Sequence, residues 1–152
     1  MPQLPMPAFA IMGLNGSIQL TIEKIFGYPD ETSHFGGYEA WGTLHIKARG
    51  FTANDLCYFT TGELYTFYQQ LQACYNSLTG KAILINTECN LELQCELNKF
   101  GHVILTGSFQ ASLIENNILR FEIKSDQTHI KNTLSQLEAV YDFFGDNRGI
   151  SK

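Results

Sequence analysis

Residues 30–41, DETSHFGGYEAW, hold three carboxylates, one histidine, three aromatic rings and two adjacent glycines. Asp30 or Glu31 beside His34 is the one local combination able to tune a general base, and such a base needs a nucleophile or a metal to act on. Ser33 is the neighbour of His34 in sequence, but adjacent side chains seldom point at each other, and no serine or cysteine stands in a recognised nucleophile setting. The same residues suit recognition better. Phe35, Tyr38 and Trp41 offer ring area at low entropic cost, and Asp30, Glu31 and Glu39 supply charge that steers and pairs with basic groups of a partner. Packing of Phe35 and Tyr38 beneath the loop is the structural alternative, and the sequence leaves both open.

Elsewhere the chemistry thins out. Glu88, Glu92 and Glu96 recur every four residues, a spacing that would align them on a helix. The alternation of Leu91, Leu93, Cys95 and Leu97 around the last two makes that segment a strand, where four residues span about 13 Å. Glu92 and Glu96 then form a solvated acidic row available to a partner rather than an acid–base pair. His34, His45, His102 and His129 lack any H-E-x-x-H or similar spacing, and neither GLNG nor Gly36-Gly37 belongs to a phosphate-binding glycine motif. Cys57, Cys74, Cys89 and Cys95 include no C-x-x-C pair. Catalytic residues, metal ligands and cofactors are therefore not expected, and the cysteines are expected to be reduced, as in a cytoplasmic protein.

The chain of 152 residues is 44% apolar and 16% charged, enough to bury a core without staples. Fifteen acidic against ten basic residues give a formal charge of −5, with no lysine or arginine stripe to track phosphates. Nucleic acid is thus not an expected direct ligand, and the acidity favours basic partners. Prolines at positions 2, 5 and 7 interrupt an apolar start that has no basic region before it, unlike a secretory signal, and no apolar run reaches 18 residues.

These side chains need a scaffold, and periodicity outlines one. Apolar runs on both sides of Asn15-Gly16 predict a hairpin over residues 8–26, since that dipeptide readily supplies positive φ angles. A loop over 27–38 follows, then a strand in which Trp41 falls on the polar side, then a short strand, DLCYFT. Thr60 and Glu63 have capping-box spacing before an apolar stripe from Leu64 to Leu78, which predicts a helix over about 61–79 ended by Gly80. Alternation resumes in strands within 81–124. Ser125 or Asp126 caps a second helix over about 127–144. The sum is one α+β domain over 1–152, an antiparallel meander of about seven strands with two helices packed on it, without βαβ units and without an internal repeat.

The ordered segments GYEAWGTLHIKARGF, TTGELYTFYQQLQACYNSL, NLELQCELNKFGHVILTGSF and NNILRFEIKSDQTHIKNTLSQL resemble the WapI family of immunity proteins. That resemblance implies a small, cytosolic, non-catalytic protein that binds and neutralises the toxic C-terminal domain of a contact-delivered polymorphic toxin. Toxins of that family are often nucleases, whose substrate grooves are basic and would suit an acidic partner. The resemblance assigns no binding residues. Two rivals remain at this level: a small-molecule or catalytic pocket between sheet and helices built on His34, His45 or His102, and a subunit that self-associates through an exposed sheet edge.

Overall fold

The computed structural model describes residues 1–151. Its strands are β1 (Met6–Met12), β2 (Gly16–Ile25), β3 (Glu39–Ala48) and β4 (Phe51–Thr60), followed by helix α1 (Thr61–Ser77). Then come β5 (Gly80–Ile85), β6 (Leu91–Leu97), β7 (His102–Phe109) and β8 (Leu119–Asp126), closed by helix α2 (Gln127–Phe144). The α+β class is as expected, with a correction to the sheet. There are eight strands rather than about seven, and they form two separate four-stranded antiparallel meanders, β1-β2-β3-β4 and β5-β6-β7-β8, instead of one. The break falls at α1: the chain leaves β4, crosses as a helix, and returns as β5, which pairs with β6 and not with β4.

Alternation decides the inner faces. Phe9, Ile11, Ile18, Leu20, Ile22, Leu44 and Ile46 from the first sheet join Leu91, Leu93, Cys95, Leu105 and Ile123 from the second in one buried cluster. The helices complete it with Leu64, Phe67 and Leu71 from α1 and Ile130, Leu137, Val140 and Phe144 from α2. Full burial of each large apolar side chain contributes about 1.5–3 kcal/mol.

No internal repeat is visible in the residues, yet the order of elements repeats: four strands and a helix, twice. The helices cross over between the halves, α1 packing on β5, α2 on β1, and both on each other. A matching polar contact marks the crossing. Gln70 Oε1 accepts the β5 amide of Ile83 at 2.8 Å, and Gln136 Oε1 accepts the β1 amide of Ala10 at 2.7 Å. Each glutamine lies ten residues beyond its helix N-cap, Thr60 or Asp126. Thr133 Oγ1 also donates to Ala10 O at 2.7 Å. The halves share spacing rather than identity, which is why reading residues one by one does not disclose the repeat.

Local signals fare unevenly. The capping box is present: Thr60 Oγ1 accepts from Glu63 N–H, and Glu63 Oε1 accepts from Thr60 N–H at 2.7 Å. Asp126 is the cap of α2, accepting from Thr128 N–H and His129 N–H. Gly80 does not end α1; Leu78 does, in left-handed conformation at φ 50°, and Gly80 opens β5. The short strand DLCYFT is the second half of the ten-residue β4. The hairpin at Asn15-Gly16 forms, but neither residue has a positive φ. Instead the Asn15 side chain mimics a peptide group against β8, donating to Glu122 O at 3.2 Å and accepting from Lys124 N–H at 3.0 Å. Leu14 N–H donates to Lys124 O beside it at 2.9 Å.

Replacing Gln136 by leucine leaves the Ala10 amide without an acceptor in a partly buried setting, and an unmet donor there costs about 1–3 kcal/mol. Urea unfolding should show that loss in the midpoint with an unchanged slope. A thiol reagent applied to the native protein should modify Cys89 alone, because Cys57, Cys74 and Cys95 are buried; burial pushes the Cys57 thiol up to about 12.

Candidate functional site

The loop between β2 and β3 is pinned from beneath. Tyr38, expected among the contact residues, is 3% exposed and belongs to the support. Its ring lies 5.3 Å from Tyr28, which in turn lies 5.5 Å from Phe144 of α2, both contacts edge-on. Its hydroxyl donates to Pro29 O at 2.9 Å, tying the front of the loop to its back. Backbone bonds join it to α1: Tyr38 N–H to Thr61 Oγ1 at 2.8 Å and Thr61 N–H to Tyr38 O at 2.9 Å. Gly37 has φ +71° and packs so closely on Gly62 at the start of α1 that a Cβ would strike the Gly62 backbone nitrogen, which explains the glycine there. Gly37 N–H donates to Asn147 O, and Ser33 N–H returns to Gly37 O, closing the loop on itself.

The remaining loop residues face outward. Asp30, Glu31, His34 and Glu39 are exposed, and Phe35 is 63% exposed, with its ring 5.7 Å from that of His34. His34 stands on the rim of two open clefts. One, of about 350 Å³, runs between the loop, the first turn of α1 and β5, with Phe35, Glu63, Ile83 and Ile85 in its walls. The other, of about 300 Å³, is walled by Phe26, Glu31, Ser33 and Glu39.

Shared walls extend this surface in both directions. Ile83 and Ile85 continue into a cleft of about 270 Å³ that contains Glu92 and Gln94 of β6. Phe26 and Glu39 continue into one of about 250 Å³ that contains Tyr58 and Glu88. Tyr58 pairs with Trp41 across β3 and β4, so Trp41 sits at that end, partly covered. Glu96 lies on the same outer face as Glu92, opposite Lys81 and outside these clefts. Asp30 flanks the loop outside them as well.

Side chains far apart in sequence thus line a run of adjoining clefts: exposed rings and isoleucines set among Glu31, Glu39, Glu63, Glu88 and Glu92. Phe26, Tyr58, Ile83 and Ile85 are members that the sequence reading did not single out. Tyr58 had a signal. The two-residue turn Arg49-Gly50 fixes the β3–β4 register, and counting back from it sets Tyr58 opposite Trp41.

A reactive centre is harder to build. Ser125, Asp126 and His129 come together, but Ser125 Oγ (3.4 Å) and Asp126 Oδ1 (3.3 Å) both approach the same ring nitrogen, Nδ1, of His129. A proton relay needs its two partners on opposite nitrogens. Ser125 Oγ donates instead to Met12 O, and Asp126 is occupied as the helix cap. Among the described residues no group of three histidine, cysteine, aspartate or glutamate side chains could hold a metal ion. No described helix is long and apolar enough to cross a membrane.

Set against known families, the chain belongs to the immunity protein WapI-like family, whose model matches residues 10–145. It therefore carries an immunity protein's role, in a family that is generally non-catalytic. No curated protein and no solved structure matches it.

One carboxylate of the surface is also structural. Glu63 is raised above the usual carboxyl value by desolvation, offset in part by hydrogen bonds from Thr60 N–H and Thr87 Oγ1. An acid whose folded value is raised binds its proton more tightly when folded, so stability falls as pH climbs from the ordinary value of 4.5 through the folded one. Glu63→Gln keeps an acceptor for Thr60 N–H and removes the charge. The variant should gain on the wild type between pH 4 and pH 7, seen as a widening difference in thermal midpoints.

Proposed function

We propose that this protein neutralises the toxic domain of a contact-delivered polymorphic toxin in the cytoplasm, by binding it directly and without catalysis. The partner is a basic domain, and a nuclease is the class whose substrate surface best complements an acidic immunity protein. The observation that carries this reading is the continuous belt from Glu92 through Ile85, Phe35, His34, Glu31, Glu39 and Phe26 to Tyr58 and Trp41. Exposed apolar and aromatic groups interleaved with carboxylates are suited to protein contact: the rings supply desolvated area, and the charges supply steering and register. Asp30 and Glu96 extend the acidic rim on either side. Tyr38 acts beneath the surface by holding the loop, which spares the partner the cost of ordering it.

Co-expression with the toxin domain encoded beside it should protect cells, and the two chains should co-purify. Phe35→Ala and Trp41→Ala should each weaken the complex by about tenfold or more, as truncated anchors do. Glu31→Lys and Glu92→Lys should weaken it more at low salt than at high salt. Unprotected cells and no captured complex would end this reading.

A further inference from the structure

Four strands stand at sheet margins, and three of them have another element lying against them: α2 on β1, α1 on β5 and the β1–β2 turn on β8. On β1, Ala10 N–H and C=O are taken by Gln136 and Thr133. On β5, Ile83 N–H is taken by Gln70. On β8, Glu122 O and both peptide groups of Lys124 are taken by Asn15 and Leu14. Open margins invite pairing with another chain, and each of these devices prevents it.

The fourth margin, β4, is closed only at its end, where Asn86 Nδ2 donates to Tyr58 O at 2.9 Å. Residues two apart turn their peptide groups to the same side of a strand. Tyr58 O therefore marks Leu56, Asn54 and Thr52 as the other outward-facing positions. Leu56 N–H is held by the carboxylate of its own neighbour, Asp55, at 2.7 Å. The outward peptide groups of Thr52 and Asn54 have no protein partner among the described residues.

A groove of about 480 Å³ runs along this stretch, lined on one side by the five consecutive residues 51–55 and on the other by Asn116, Asn117 and Ile118 of the β7–β8 connection. Consecutive residues present both faces of a strand, so the groove follows the margin itself. Asp55 is its only charged lining residue.

We propose that β4 receives an extended segment of the toxin as a fifth strand of the first sheet, with a lysine or arginine of that segment facing Asp55. The proposal rests on the toxin-binding reading and adds the mode of contact. A carbonyl of the incoming segment takes Leu56 N–H, which releases the Asp55 carboxylate to pair with the incoming cation. A second copy of this protein would have to bring a whole four-stranded sheet behind its own β4, past residues 110–118. Leu56 and Tyr58, on the same strand, adjoin Trp41 on the outer face, so the added strand continues the belt.

The test uses the full chain and the toxin domain encoded beside it, with amide hydrogen exchange and binding measured together. Thr52, Asn54 and Leu56 amides should exchange at least about a hundredfold more slowly in the complex. Asn54→Pro removes an N–H that no strand of this chain uses and fits an edge position. It should unfold at the wild-type temperature yet bind at least about tenfold more weakly, and Asp55→Ala should bind more weakly with its deficit vanishing at high salt. Full affinity in Asn54→Pro with unprotected amides would overturn strand addition while leaving toxin binding intact. Absence of wild-type binding would overturn both. Protection of the same amides without toxin, at a doubled solution mass, would give the margin to a second copy and overturn the proposal.

Discussion

A four-stranded meander has two outer rows of peptide groups that its own strands cannot satisfy, and a chain with two such sheets has four. The structure depends on how those rows are closed. Each helix closes the first strand of the other half, with Gln70 on Ile83 and Gln136 on Ala10, so the helices join the halves by hydrogen bonding as well as by apolar burial. The hairpin tip at Asn15 does for β8 what Asn86 does more briefly for the end of β4. Burial supplies most of the free energy, but these few directional contacts decide which element lies on which.

The acidic, ring-bearing loop inherits its shape from that arrangement. Its anchor points are Thr61 and Gly62 at the start of α1, Phe144 at the end of α2, and Asn147 just beyond. Because both helices are fixed by the opposite sheet, the loop is fixed by both halves. The residues predicted to form a contact surface divide accordingly: Tyr38 turns inward and holds, while Phe35, His34 and Glu31 turn outward. Tyrosine carries no sequence mark for either role, and only the neighbouring Tyr28 and Phe144 decide it.

Much of the fold was legible where period and cap coincide. Thr60 with Glu63 and Asp126 before Gln127 mark both helix starts, and the leucines of β6 mark its buried face. The division into two sheets was not legible, since a helix between two hairpin-rich stretches permits pairing on either side of it. Nor does Asn15 announce that its amide will serve a strand more than a hundred residues away; an Asn-Gly pair reads locally as a turn, and the long-range contact overrides that local preference. The proposed contact surface was half legible. Glu92 could be placed on an outer face by alternation, but its meeting with Phe35 passes through Ile83 and Ile85, whose partial exposure follows from the packing of β5 under α1.

The exchange of helices between the halves has a consequence for assembly. The first sheet is finished by α2, which follows the second sheet, and the second by α1, which precedes it, so each half carries the helix that covers the other. Contacts of this span form late and together. Because α1 already precedes the second sheet while α2 follows it, the covering of the first sheet waits on completion of the second.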